Sequence, residues 1–281
     1  MNLRNAAFAL PLIVALLLLP FPAQGAPGSL RIVAGTELIA DIARDLLGDG
    51  ARILTLVPAS SCPGHHDVRA TDIAFINKAD AILIHEWQGR QKPLVDAIRA
   101  AGNPGTPLSV GPAPSWLIPE NQVAASRNLA ALFSALPGVD AKRVADRLAQ
   151  RLGRIAKAVA ACEKALAPYA GSPVMVSLMQ ADFVRRLGMR VIADYGRAED
   201  LSPGSLMRLA EAGKKAGVLV VVDNMQSGAE AGVPLAGEIG AAHVAFSNFP
   251  GFTEATPDYE SLLRYNCDLL TAALGKKAGR P

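Results

Sequence analysis

Two hydrophobic rhythms alternate along the chain. "LRIVAG", "RILTLVP" and "DAILIH" are short apolar runs with the branched residues of strands. "ELIADIARDLLG", "RATDIAFINKA" and "KPLVDAIRAAG" space their apolar residues three and four apart, as one face of a helix requires. "PLSVG" supplies a last short strand. Strand and helix in alternation predict a mostly parallel sheet covered by helices.

A helical stretch follows. "ENQVAASRNLAALFSAL" reads as helix, and "DAKRVADRLAQRLGRIAKAVAACEKALAPY" as one long helix. In the latter Val144, Leu148, Leu152, Ile155, Val159, Cys162 and Leu166 form an apolar stripe, with Lys and Arg largely on the other face. Asp140 caps its start, and Pro168 and Gly171 end it. At ~1.5 Å per residue it runs roughly 40 Å, as a core helix or as a rigid strut between lobes. The alternation then restarts. "PVMVSL", "MRVIADY", "VLVVVD" and "AHVAFS" are strands, interleaved with helices at "ADFVRRLG", "LSPGSLMRLAEAGKKAG" (Ser202 as cap, Pro203 at its first position) and "AGVPLAGEIG". "PDYESLLRYNCDLLTAAL" is the closing helix. The expected fold is α/β: two parallel-sheet lobes, 28–135 and 170–275, joined by a long rigid backbone helix over 139–168. No internal sequence repeat is evident.

The N-terminus changes the boundaries. "MNLR" is a basic start, "AAFALPLIVALLLLP" an apolar run shorter than a membrane span, and "FPAQG" a small-residue exit. Residues 1–25 therefore read as a secretory signal peptide, which sends the chain to the periplasm. Lys and Arg number 28 and Asp and Glu 25; the leader removes only Arg4, leaving a mature net charge of +2. That balance, with no basic stripe, argues against a nucleic-acid partner. Of the three cysteines, Cys162 reads as a buried thiol, while a Cys62–Cys267 pair stays open in an oxidising compartment.

In open parallel sheets ligands bind beyond the carboxyl ends of the strands. Three of the four histidines fall there in the first lobe: His65 and His66 in "SSCPGHHDVRATD", and His85 directly after "DAILI". Neutral imidazole is a common ligand of zinc and related metals, so these three are candidate metal ligands. Cys62 either shares in ligation or is a small buried residue. In the second lobe Gln180 and Asn248 offer amide oxygens at strand ends, and Asp223 is either a ligand or turn chemistry. His243, near the start of its strand, reads as structural. Enzyme readings have little support, for the chain has no phosphate loop, no Gly-x-Ser-x-Gly elbow and no His-Glu-x-x-His. A zinc hydrolase using His65 and His85 with Glu86 as base is the surviving rival. A binder of an organic ligand or a metal chelate on the same architecture is the other.

Nearly the whole mature chain resembles the zinc- and manganese-binding substrate-binding proteins of bacterial ABC importers, as a divergent branch. "IVAGTELIADIARDLLGDGARILTLVP" is similar to that family's opening strand–helix–strand. "CPGHHDVRATDIAFINKADAILI" resembles its Asp-Pro-His loop and the helix after it, the long helix its backbone helix, and "SNFPG" with "DYESLLRYNCDLL" its final strand end and closing helix. The resemblance implies capture of a divalent metal ion between the lobes, zinc first and manganese or copper next. It implies delivery by a monomer to an inner-membrane ABC permease, with no chemistry of its own. The family's loop histidine matches His65, with His66 as its neighbour. Its second histidine falls in "APSWLIPE", at Pro114 or Ser115, so that ligand is missing and His85 is the inferred replacement. The third position falls near Met179–Gln180, and the fourth, an aspartate in the family, at Asn248.

Overall fold

The computed structural model describes residues 29–64, 67–105, 107–110, 115–277 and 279. The leader, 1–25, and both histidines of the first loop, His65 and His66, lie outside these residues. The first sheet contains β1 (Leu30–Thr36), β2 (Ala51–Val57), β3 (Ala81–Ile84) and β4 (Leu108–Ser109), all parallel, in the order β2-β1-β3-β4. The second contains β5 (Pro173–Ser177), β6 (Arg190–Tyr195), β7 (Val220–Asn224) and β8 (Ala242–Phe246), all parallel, in the order β6-β5-β7-β8. The two sheets thus repeat one topology that the sequence does not repeat. β3 and β7 are buried along their whole length, as unbroken apolar runs in central parallel strands require.

Helices α1 (Glu37–Leu47), α4 (Pro119–Ser134), α5 (Ala141–Leu166) and α9 (Tyr259–Lys277) form the middle of the molecule. Their buried residues join the inner faces of both sheets in one continuous core, from Ile32 and Leu83 through Ile155 and Cys162 to Val176 and Phe246. On the outer face of the first sheet, α2 (Ala70–Asn77) and α3 (Lys92–Ala100) close a smaller cluster around Val33, Leu56 and Ile82. On the outer face of the second, α7 (Pro203–Ala216) and α8 (Val233–Ile239) do the same around Met175 and Val221, while α6 (Ala181–Arg186) packs on the shared core. The architecture is the expected pair of α/β lobes on a long helix. Among the described residues no helix is long and apolar enough to cross a membrane.

The long helix departs from its expected face. Asp140 does cap it, accepting from the amides of Lys142 and Arg143. Its buried residues, however, are Val144, Arg151, Ile155, Ala158, Cys162 and Leu166, while Leu148, Leu152 and Val159 are only partly covered. Arg151, assigned by pattern to the solvent face, is 0% exposed. Its guanidinium donates to Asp41 (2.8 Å) and Asp45 (3.0 Å) of α1 and to Gln122 (3.2 Å) and Ser126 (3.0 Å) of α4. Arg154 extends the cluster to Asp45 and to Glu260 of α9. Burial raises the Asp41 carboxyl from 3.8 to about 6, with Arg151 opposing the shift, so Asp41 is still ionised at neutral pH.

The cysteine reading also needs correction. Cys162 of α5 is buried, but it is not a free thiol: it is disulfide-bonded to Cys267 of α9, with Cα atoms 5.8 Å apart. Cys62 is the free cysteine, so the Cys62–Cys267 alternative falls. The cross-link closes a sequence separation of 105 residues and ties the backbone helix to the closing helix.

Candidate metal-binding cleft

The order of each sheet reverses beside its first strand, between β1 and β3 in one lobe and between β5 and β7 in the other. Such switch points leave a crevice at the carboxyl ends of the strands. The two crevices face each other. Between them lies a cavity of about 340 Å³ whose described lining runs from Leu38, Cys62 and His85 of the first lobe to Met179, Arg197 and Asn248 of the second.

His85 is built into this wall from the backbone upward. It follows directly on the buried strand β3. Its amide donates to the Gln88 side-chain carbonyl (3.0 Å), and Gln88 Nε2 donates to the Gly35 carbonyl on β1 (3.0 Å). A side chain at residue 35 would collide with Gln88, since a Cβ there would lie 2.1 Å from its Oε1. Glycine therefore permits the brace that fixes His85. The ring Nε2 meets Thr36 Oγ1, at the end of β1, at 2.8 Å, and among the described residues no hydrogen bond reaches Nδ1. The imidazole stacks on Trp87 (centroids 5.4 Å, 11°) and meets Trp116 edge-on (4.3 Å, 82°). His85 is 3% exposed, and burial pushes its pKa down to about 3. It is a neutral imidazole throughout the physiological range, the form that ligates a metal.

The second lobe presents amides instead. Gln180, in the turn after β5, donates from Nε2 to Asn248 Oδ1 (2.7 Å), and Asn248 Nδ2 donates to Asn224 Oδ1 (3.0 Å). Asn224 Nδ2 donates to Ser227 Oγ (2.8 Å). Gln226 accepts from the Asn248 amide (2.9 Å), donates to Ser247 Oγ (3.0 Å), and crosses the cleft to the Ala59 carbonyl (2.8 Å). Gln180 is fully buried behind Asn248, and among the described residues its Oε1 has no hydrogen-bond partner. A second link crosses the cleft, from Arg197 to Cys62 Sγ at 3.4 Å.

Of the candidate ligands, His85 and Asn248 line the cavity, and Gln180 reaches it only through Asn248. The loop that carries His65 and His66 leads into it through Cys62, Pro63 and Gly64. Among the described residues, no group of three His, Cys, Asp or Glu side chains could hold a metal ion. Asp223 serves the fold: it accepts from Tyr195 OH (2.7 Å) and the Gly232 amide (2.8 Å), and lies 2.7 Å from His243 Nε2. That contact gives His243 the structural part expected of it. Glu86, the base of the hydrolase reading, pairs with Arg90 at 2.9 Å on an exposed turn and is absent from the described lining. Sequence reasoning did not single out Thr36, Gln88 or Arg197. Trp87 and Trp116, the chain's two tryptophans, carried a readable signal in "HEW" and "SWL", beside strand ends and the site of the missing histidine.

Comparison with known proteins agrees with this fold. A crystal structure of ZnuA superposes with a TM-score of 0.75 at 18% identity, covering 88% of this chain and 99% of that one. A manganese-bound periplasmic metal-binding protein from Candidatus Liberibacter asiaticus gives 0.75 at 15% identity, covering 86% and 98%. The cadmium-bound form of the Liberibacter protein gives 0.72 at 16% identity, again covering 86% and 98%. No curated protein sequence matches the chain. Residues 32–273 match the profile of the family described as zinc-uptake complex component A, periplasmic, and the chain belongs to that family.

Proposed function

We propose that the protein is a periplasmic substrate-binding protein that captures a divalent metal ion, zinc first, in the cleft between its lobes. It passes that cargo to the permease of an ABC importer and performs no chemistry on it. In this reading residues 1–25 direct export, lobes 28–135 and 170–275 flank the cleft, and the helix over 139–168 holds them apart at a nearly fixed angle. The mature chain acts as a monomer.

The observation that carries the reading is His85: a neutral imidazole with one nitrogen fixed by Thr36 and the other unclaimed, in a cleft at the sheet ends of a zinc-uptake family member. His65 and His66 join it from the neighbouring loop. Gln180 and Asn248 approach from the second lobe through amide oxygens, weaker ligands than the carboxylate or imidazole of a tight zinc site. The Liberibacter protein, solved with manganese and with cadmium, supports a cleft tolerant of several divalent ions. The test is metal analysis of protein purified without chelator. About one equivalent of zinc, lost in both His65→Ala and His85→Ala, is the expected result. Retention of the metal in both variants would overturn the assignment.

A further inference from the structure

The described walls of the cleft suit an anion better than a naked dication. No carboxylate is present among the described lining residues. The charged side chain there is Arg197, anchored to Cys62 Sγ and lying 3.7 Å from the exposed Glu199 carboxylate. A guanidinium in the wall repels a bare dication and attracts negative charge. Trp116 also lines the cavity and is 5% exposed, and among the described residues its indole Nε1 has no hydrogen-bond partner. A buried N–H without a partner needs an acceptor, and a metal ion is not one. The second-lobe amide oxygens are largely engaged: those of Asn248, Asn224 and Gln226 each accept an N–H. Finally, about 340 Å³ is far more space than a dehydrated ion fills, and lies in the range of small-molecule sites. The indoles of Trp87 and Trp116 supply the apolar surface that such sites use.

We infer that the cargo enters this cleft as an anionic metal chelate, a zinc ion already wrapped by a polycarboxylate carrier. Arg197 and the Trp116 N–H receive the carrier's oxygens, and the His85 imidazole faces the metal. This rests on the capture reading and specifies the form in which the metal arrives.

The experiment uses the two tryptophans as reporters, because both line the cavity. Metal-stripped protein is titrated with zinc chloride, zinc citrate, zinc ethylenediaminedisuccinate and metal-free ethylenediaminedisuccinate, following tryptophan emission. Native mass spectrometry then identifies the bound species. At least one zinc complex is expected to bind intact, about tenfold or more tighter than zinc alone, as charge-assisted contacts warrant. Arg197→Gln is expected to remove about tenfold of the affinity for the complex and Trp116→Phe, read by native mass spectrometry, a smaller part. An Arg197→Gln variant that binds the complexes as tightly as the parent protein overturns the inference. Circular dichroism confirms that both variants are folded. Zinc chloride binding while both complexes are refused, or bound mass showing zinc without its carrier, overturns this inference and leaves metal capture standing. Equal binding of the metal-free carrier overturns it as well. Failure of zinc and of both complexes to bind defeats the capture reading itself.

Discussion

The two lobes have the same sheet order and opposite walls. In each, the second strand in sequence lies at the edge, beside the first, and the crevice opens between the first and the third. In the first lobe that crevice holds Thr36 and His85, pinned by Gln88 and walled by Trp87 and Trp116. In the second it holds Gln180, Asn224 and Asn248, whose side chains satisfy one another. The first wall has a donor nitrogen to spare; the second is nearly saturated. Topology sets where the two crevices open, and the side chains that line them make the walls chemically different. The lobes also share one core, built on α5 and its neighbours, so no separate linker stands between them.

This comparison breaks most readily at what the lobes share. Arg151→Ala leaves Asp41 and Asp45 without their buried cation, and a loss of about 3–5 kcal/mol in chemical unfolding is expected. An unchanged midpoint would mean that the central cluster does not hold the lobes together. Next is His85→Ala, for which metal affinity measured by calorimetry should fall more than the ~100-fold typical of a lost outer-shell partner. Thr36→Val, which removes only the hydroxyl that orients the ring, should cost about tenfold.

Acid sharpens the contrast. The folded-state pKa of His85 lies below the ordinary 6.5, at about 3. Its contribution to stability is complete above pH 6.5 and is lost as the pH falls toward 3, by about 2 kcal/mol at pH 5. Asp41 acts in the opposite sense. Its raised folded value means that stability from this group is complete below about pH 4 and declines as the pH rises through 6. Denaturant titrations should therefore show His85→Asn and Asp41→Asn changing the slope between pH 4 and pH 6 in opposite directions. Parallel slopes would contradict both assignments. Loss of metal affinity near pH 6.5 is not expected from His85, which does not titrate there.

The smaller effects belong to the second lobe. Gln226→Leu removes the bond across the cleft to Ala59 and the acceptor for the Asn248 amide, at an expected cost of about 1–2 kcal/mol in stability. Asn248→Ala should weaken metal binding less than tenfold, because a neutral amide ligand contributes little. A larger loss than that of His85→Ala would reverse the ranking of the two walls.

Much of this architecture was legible in the residues. Buried central strands read as apolar runs, and "VLVVVD" became β7 and "DAILI" β3. The caps at Asp140 and Ser202 depend on a few adjacent residues and formed as expected. His85 could be placed at a sheet end because it follows a strand. The face of α5 could not be read as well. A stripe counted over apolar residues leaves out Arg151, whose burial depends on carboxylates more than a hundred positions earlier in the chain. The Cys162–Cys267 pairing was hidden for the same reason, since spacing does not give connectivity.

The sequence alone determined the alternation of strands and helices, the long helix between two α/β halves, and the strand-end placement of His85. These follow from period, cap and turn chemistry, which act over a few residues. The tertiary structure alone decided that Arg151 sits inside, that α5 and α9 are cross-linked, and that Asp223 serves Tyr195 and His243 rather than the cleft. It also decided that Arg197 and Trp116 line the cavity with His85. Each of these depends on which distant groups share a desolvated space, where a charge or an N–H without a partner is costly, and only the folded chain settles those pairings.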